Sequence, residues 1–467
     1  MIISEIRYKQ VIERLRFDAD YFLPEYLRID KLLSRFICVK FEEIIKNINA
    51  GKNLPQCSNF YKYEKVPFIR TQNIRQILID KTGLSFVPLE KFKKASLRVL
   101  NEGDLLVVRV GVGISDNVVV LGEFVGSAYS DNTIRIEIKK ERINPFYLSV
   151  YLNTKYGKKY WERVQKGSAR PLISYENIFE IKIPIPPSSF QQKIELLVKE
   201  SYNKRKEADE KYKEAEALLN KTLGIEKLEL KDEKIFETRF DEVESGQRID
   251  SDFYKPIFIL SLNILKKGEK KGIFLVKKLG KIANISKGIE VGSDAYVDDG
   301  KLFLRVSNIT EKEITISDST KFIRENLFSE LKTKYKPMPG EILYTKDATV
   351  GIAFPVGDDF NDAIISGGIV RIKPHNDLDQ YYLALVLNSI LCRSQAERHS
   401  IGAVIKHYTY SKIKDLLVPI ISEEKRTQIS NLVKQSFSLR KEAKELLEKA
   451  KKEVEEFIEK NNNHNRH

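Results

Sequence analysis

"SYNKRKEADEKYKEAEALL", from Ser201 to Leu219, and "SFSLRKEAKELLEKAKKEV", from Ser436 to Val454, decide the architecture of this chain. Both hold the tetrapeptide RKEA, at Arg205–Ala208 and Arg440–Ala443, an offset of 235 residues. Steps of alternating four and three place Ile194, Val198, Ser201, Arg205, Ala208, Tyr212, Ala215 and Leu219 on one seam. The equivalent seam is Ile429, Val433, Ser436, Arg440, Ala443, Leu447, Ala450 and Val454. This is coiled-coil spacing. Small residues on both seams let two backbones approach closely, and Ser and Arg interrupt them at matching places. The pattern predicts an antiparallel pair crossing near RKEA, with Ile194, Val198, Ala208, Ala215 and Leu219 facing Ile429, Val433, Ala443, Ala450 and Val454.

The offset continues upstream. Tyr147-Leu148 matches Tyr382-Leu383, Leu152-Asn153 matches Leu387-Asn388, Gly167 matches Gly402, and Pro184 matches Pro419. Farther back the register drifts by a residue or two, but landmarks persist. Arg16-x-Asp18-x-Asp20-Tyr21-Phe22-x-Pro24 pairs with Arg248-x-Asp250-x-Asp252-Phe253-Tyr254-x-Pro256. Arg70-x-x-Asn73-Ile74 pairs with Arg305-x-x-Asn308-Ile309, and "GDLL" at Gly103 with "GEIL" at Gly340. The chain therefore reads as a tandem duplication of one domain-sized unit. Within a unit, strand-like runs such as "VPFIRTQNI", "DLLVVRV", "NVVVLGEFV" and "NTIRIEI" come first, separated by Gly, Asn and Asp. A helix follows, with Asn144 as N-cap and Pro145 in its first turn, expected to run unbroken through "FYLSVYLNTKYGKKYWERV". A short Pro-bounded strand and the RKEA helix complete the unit. The fold class expected is α+β: two β-rich domains, residues 1–187 and 225–420, two long antiparallel helices at 188–224 and 421–461, and a polar tail at 462–467.

Lys and Arg number 80 against 66 acids, a net charge of +14, which favours a polyanionic partner. Cys38, Cys57 and Cys392 show neither paired nor CxxC spacing, so no disulfide or zinc site is expected. The opening "MIISEIRYKQ" has no signal-peptide apolar core, and "LLVVRVGVGI" is short and interrupted by Arg109, so a cytoplasmic protein without a membrane span is expected. "NPFY" at Asn144 has Phe146 where an adenine-methyltransferase tetrad needs proline, and no glycine-rich cofactor loop accompanies it. Asp131 with Glu137-x-Lys139 has the residue types of a nuclease, but the second half carries "GGIVRIK" there. "VGVGISDN" lacks the Lys-Ser/Thr end of a phosphate-binding loop. The five histidines form no ligand-like group, so neither a catalytic residue nor a metal site is expected.

What remains is chemistry for holding a nucleic-acid backbone. Lys155, Lys158, Lys159, Arg163, Lys166 and Arg170 are interleaved with Tyr156, Tyr160 and Trp161 and run into "KGSARP". The matching loop of the second half brings Lys406, His407, Tyr408 and Tyr410. Such cations suit phosphates, and the small residues between them give a flexible backbone.

The duplicated order, the "GDLL" and "GEIL" strands, the G-x-A loops at Gly167 and Gly402 and "IPIPPSSFQQKI" at Ile183–Ile194 resemble the specificity subunit of type I restriction-modification systems. The second half departs at "VPIISEEKRTQI", where one proline is missing and Arg426 stands in the place of Gln191. The resemblance implies a non-catalytic chain with two target-recognition domains, each reading half of a split double-stranded DNA site. The long helices would set the unread gap: about 34 residues span roughly 50 Å, against roughly 34 Å per turn of DNA. It also implies two methyltransferase subunits carrying S-adenosylmethionine and two restriction/translocase subunits using ATP and magnesium. Base-reading candidates are Gln72, Asn73, Arg109, Ser168 and Arg170 in the first domain, and Ser307, Asn308, Lys346, Lys406 and His407 in the second. Phosphate-side candidates in the same loops are Lys158, Lys159, Lys166 and Tyr408. Two other readings stand beside this one: the specificity subunit of a type II restriction-methylation enzyme, and a scaffold that never touches DNA.

Overall fold

The computed structural model describes the chain except residues 1–18, 54–64, 76, 82, 96, 112, 166–171, 227, 229–234, 317–318, 359, 361, 376–377, 403–404 and 461–467. The chain divides into two units, Met1–Arg205 with Lys441–His467, and Lys206–Arg440. Both cuts fall inside an RKEA copy.

In the first unit a four-stranded sheet has the order Ile45–Ala50, Thr133–Ile138, Leu105–Val108, Asn117–Val119, all neighbours antiparallel. Leu105–Val108 is buried on both faces, as its unbroken aliphatic run requires. A three-stranded sheet, Ser85–Pro88, Lys65–Ile69, Ala128–Tyr129, has its last pair parallel. Cys38–Lys40 pairs with Lys182–Pro184. The second unit has the same plan. Its four-stranded sheet runs Ala283–Lys287, Ile369–Pro374, Ile342–Thr345, Ala353–Pro355. Its other sheet ends in the equivalent parallel pair, Lys301–Leu304 with Ala363–Ile365, and Leu275–Lys278 pairs with Leu417–Ile420.

The "GD" and "GE" landmarks are the anchors of the central strands. Asp104 accepts a hydrogen bond from Asn101 N at 2.6 Å and a bidentate pair from Arg135 on the neighbouring strand, at 2.5 and 3.1 Å. Glu341 accepts from Met338 N at 2.9 Å and meets Arg371 at 3.5 Å. Each acid thus closes a turn and pairs with an arginine on the neighbouring strand, buried at Arg135 and half-buried at Arg371.

The helix expected to be continuous after Asn144 is two helices, Pro145–Asn153 and Lys155–Val164. Thr154 is the reason. Its hydroxyl donates to Tyr151 O at 2.6 Å, and it also caps the next helix by accepting from Gly157 N at 3.3 Å. The second unit breaks at the equivalent Ser389, between Gln380–Asn388 and Ile390–His399, where the hydroxyl donates back to Val386 O at 2.6 Å but does not cap the next helix. Asn144 caps the first helix, accepting from Phe146 N at 2.9 Å and Tyr147 N at 3.3 Å, so "NPFY" is helix-start chemistry. Tyr147 and Tyr382 are buried and donate to Pro184 O and Pro419 O, each at 3.0 Å.

The long helices are Ser188–Leu223 and Glu423–Lys460. Within the first unit Ser201 Oγ donates to Ala443 O at 2.7 Å, and Lys204 pairs with Glu442 at 2.6 Å. Within the second, Ser436 Oγ donates to Ala208 O at 2.6 Å, and Arg440 pairs with Asp209. Each unit thus holds an antiparallel stretch of the pair. Ile194, Val198, Ala208, Ala215, Leu219, Ile429, Val433, Ala443, Ala450 and Val454 are all buried. The serines that interrupt the seam reach a backbone carbonyl where only a small facing residue allows it. Leu447, Ala450, Val454 and Ile458 complete the first unit's core around Trp161 and Tyr147, and Ile429 and Val433 join the second's. No helix among the described residues is long and apolar enough to cross a membrane.

Candidate nucleic-acid interface

In each unit the central strand ends in a cation, Arg109 or Lys346, and the fold brings a loop from about sixty residues later against it. In the first unit Val110 bridges Leu172, and Ile173 N donates to Arg109 O at 3.1 Å. In the second, Asp347 bridges His407, and Tyr408 N donates to Lys346 O at 2.7 Å. The backbone N–H groups of Arg109 and Lys346 are held alike, by Asn132 O at 3.0 Å and Gly368 O at 2.9 Å. Arg109 and Lys346 therefore occupy the same structural position, each half-buried.

The second unit shows this loop in most detail. Ile401 and His407 exchange backbone hydrogen bonds of 2.9 and 2.7 Å, closing a hairpin. Gly402, at φ +112°, makes the hairpin possible, since a Cβ there would lie 2.1 Å from Ile405 O. Asp347 is gripped from both sides, by His407 Nδ1 at 2.8 Å and Lys346 Nζ at 2.7 Å. Ala348 adopts φ +56°, and its N–H donates to Lys406 O at 2.8 Å. Ser307 sits exposed on the turn Val306–Asn308, and Gly368 lets that turn close in, since a Cβ there would be 2.8 Å from Val306 Cγ2. Ser307, Lys346, Lys406 and His407, dispersed in sequence, thus share one loop cluster.

Two tyrosines complete the parallel; the sequence reading named Tyr410 with its loop and missed Tyr175. Tyr175 and Tyr410 open matching short helices just after the loops. The Arg109 guanidinium lies 5.8 Å from the Tyr175 ring centroid, while Lys287 and Lys414 lie 5.0 and 4.7 Å from that of Tyr410. The 235 offset between "SYEN" and "TYSK" was the available signal.

Several candidates are corrected by their surroundings. Asn73 is fully buried, accepting from Arg70 N at 3.1 Å and donating to Asp80 O at 3.0 Å. Asn308 is likewise committed, to Arg305 N, Thr315 O and Thr320 Oγ1. Both amides hold their own loops and have no edge left for a base. Tyr408 is buried, with its hydroxyl on Lys412 O at 3.0 Å. In the basic helix the interleaved aromatics are core residues: Tyr156, Tyr160 and Trp161 are buried, and Arg163 is 4% exposed, paired with Asp30 at 2.9 Å. A helix that must pack on a core cannot also offer those side chains to phosphates.

The remaining cations diverge. Lys158 reaches Asp116, in the loop after Arg109, at 3.1 Å. Lys159 turns to Glu162 at 2.7 Å and Glu25 at 3.2 Å. Both line a cavity of about 430 Å³ with Lys155, Glu448, Lys451 and Glu455. Gln72 is exposed and donates to Gly83 O at 3.1 Å, apart from the Arg109 loop contacts. Lys166, Ser168, Arg170 and Cys57 lie outside the described residues. Among the described residues no group of three or more His, Cys, Asp or Glu side chains is placed to hold a metal ion.

A family model described as "Type I restriction modification DNA specificity domain" matches residues 38–208. That segment is similar to a specificity domain. It takes in the first unit's three sheets, the Arg109 loop and the start of the long helix. The second unit lies beyond the match but repeats the first unit's strand order. No curated protein matches the chain significantly. Among solved structures, similarity extends to the S subunit of the M. genitalium type I system, with 10% identity, 91% of this chain and 95% of that one covered, and a TM-score of 0.35. It extends also to the HsdS subunit of Thermoanaerobacter tengcongensis, with 14% identity, coverage of 90% and 95%, and a TM-score of 0.28. A third structure, described as the basis of complex assembly and conformational transition of the type I R-M system, shares 12% identity at 91% and 97% coverage, with a TM-score of 0.29.

Proposed function

We propose that the chain is the DNA specificity subunit of a type I restriction-modification complex, each unit binding one half of a bipartite double-stranded site. One observation carries this reading beyond the specificity-domain match: both units place a cation at the end of the central strand, against a loop drawn in by equivalent bridges. A scaffold has no need to build the same half-buried cation site twice. In this role Arg109 is suited to bidentate contact with guanine, while Lys346 and Lys406 act on guanine or phosphate. Lys406 and His407 stand where the first repeat has Pro171 and Leu172, so the two half-sites differ in sequence. The chain is non-catalytic. Methylation comes from two docked methyltransferase subunits with S-adenosylmethionine, and cleavage from two restriction/translocase subunits using ATP and magnesium.

Methylome sequencing of cells co-expressing the chain with its methyltransferase tests the proposal. The expected result is a split, asymmetric methylated motif. Arg109→Ala should relax bases in one half only and Lys346→Ala in the other; an unsplit motif, or both variants acting on the same half, would refute the assignment.

A further inference from the structure

Three large apolar side chains of one short stretch in the second unit stand in solvent: Ile235 at 91% exposure, Phe240 at 82% and Ile249 at 95%. The stretch is nonetheless built. Phe253 and Tyr254 are buried, and Tyr254 donates to Arg248 O at 2.6 Å. The Arg248 guanidinium lies 4.7 Å from the Phe253 ring centroid and holds Asp250 in a bidentate pair of 2.7 and 2.6 Å. A single exposed apolar residue needs no explanation, but three within fifteen positions do.

The duplication shows that they are not accidental. Residues 235–254, "IFETRFDEVESGQRIDSDFY", align without a gap with residues 3–22, "ISEIRYKQVIERLRFDADYF". Tyr21 and Phe22 fall opposite Phe253 and Tyr254, and all four are buried, so core packing accounts for their recurrence. Ile235, Phe240 and Ile249 fall opposite Ile3, Tyr8 and Phe17. Core packing cannot account for apolar residues that the second unit leaves in water. Charge then selects the occupant. In a chain of net charge +14, residues 235–254 carry six acids against two arginines, and Arg239 and Arg248 are each paired with a neighbouring aspartate. An acidic surface repels DNA and suits a basic-rimmed apolar patch on a protein. The recurrence of apolar residues at these three positions in the first repeat's sequence suits a partner present in two copies.

We propose that Ile235, Phe240 and Ile249 form a docking surface for one copy of the methyltransferase subunit, which presents an apolar patch rimmed by Lys and Arg; this rests on the function proposed above. The test is native mass spectrometry of the full chain with its purified methyltransferase subunit, comparing wild type with Phe240→Ser/Ile249→Ser. Both side chains are exposed, so the variant should melt as wild type does. Wild type should carry two methyltransferase copies and the variant one, with affinity for the lost copy reduced at least tenfold. A variant that still carries two copies overturns the docking surface and leaves the functional reading intact. A wild-type chain that binds no methyltransferase overturns the functional reading and the docking surface with it. A wild-type chain that dimerises alone, and no longer does so as the variant, assigns the surface to self-association and also overturns the proposal.

Discussion

Replacing Asp104 with Asn should destabilise the first unit far more than so small a change suggests. Asn still offers an oxygen to Asn101 N, so the turn is kept and only the charge is lost. Arg135, with a side chain 9% exposed opposite an aspartate 2% exposed, is then left in the sheet with Glu137 at 3.5 Å as its nearest compensation. Removing one partner of a buried pair costs about 3–5 kcal/mol. Glu137 places the expectation at the lower end, about 3 kcal/mol. The double variant Asp104→Asn/Arg135→Met removes the orphaned charge and should return to within about 1 kcal/mol of the parent, a recovery of about 2 kcal/mol over the single variant. The chain supplies its own probe. Its single tryptophan, Trp161, is buried in the first unit, so its fluorescence during urea unfolding reports that unit alone. With a urea slope of about 2–3 kcal/mol/M, Asp104→Asn should lower the tryptophan midpoint by about 1 M or more. A shift below about 0.3 M, or a double variant no better than the single, would refute the argument that the pair is held together by burial.

Asn73→Ala and Asn308→Ala should each lower stability by about 1–2 kcal/mol through lost loop hydrogen bonds while leaving the methylated motif unchanged; an altered motif would restore them as base readers. Ser201→Ala and Ser436→Ala should cost about 1 kcal/mol each, whereas Ala443→Trp, forced between packed helices, should cost about 3 kcal/mol or more, all measurable by thermal melting. His399 should contribute acid sensitivity to the second unit. Burial, aided by Lys412, Arg398 and Arg248 and opposed by Asp415, pushes its pKa down from 6.5 to about 4. Between those values the unfolded chain binds the extra proton, so stability is full above the unfolded pKa and falls as pH drops toward the folded one. With its partial exposure the loss is about 1–2 kcal/mol. His399→Gln should flatten this dependence in hydrogen exchange of residues 390–399; an unchanged slope would assign the sensitivity elsewhere.

The fold was legible because duplication is a long-range signal that local ambiguity cannot erase. The RKEA seams and the "GD" and "GE" landmarks all proved to be positions of burial or pairing. The continuous helix after Asn144 failed because Thr154 reads as a tolerable helical residue until its hydroxyl is seen capping in both directions. At the site, several side chains that the sequence offered as base readers are committed to other partners. Asn73 and Asn308 have the chemistry of adenine readers, and only their buried partners show that the chemistry is used locally. The stacking at Tyr175 and Tyr410 was not read because Arg109 and Lys287 reach these rings from distant strands, which no sequence window contains; only Lys414 is a sequence neighbour of its ring.

The division of the chain inside both RKEA copies has a consequence for biogenesis. Lys206–Arg440 is contiguous, so a ribosome delivers every residue of the second unit in one uninterrupted run. The first unit is made earliest, yet its core needs Leu447, Ala450, Val454 and Ile458. Its sheets emerge with an apolar groove along Ile194 and Val198 that stays open for more than two hundred further residues of synthesis. Closure there joins residues more than two hundred positions apart, the slow kind of contact to form. The half of the molecule made first is thus the half finished last, and the interval between is when it is most exposed to chaperones and to misassembly.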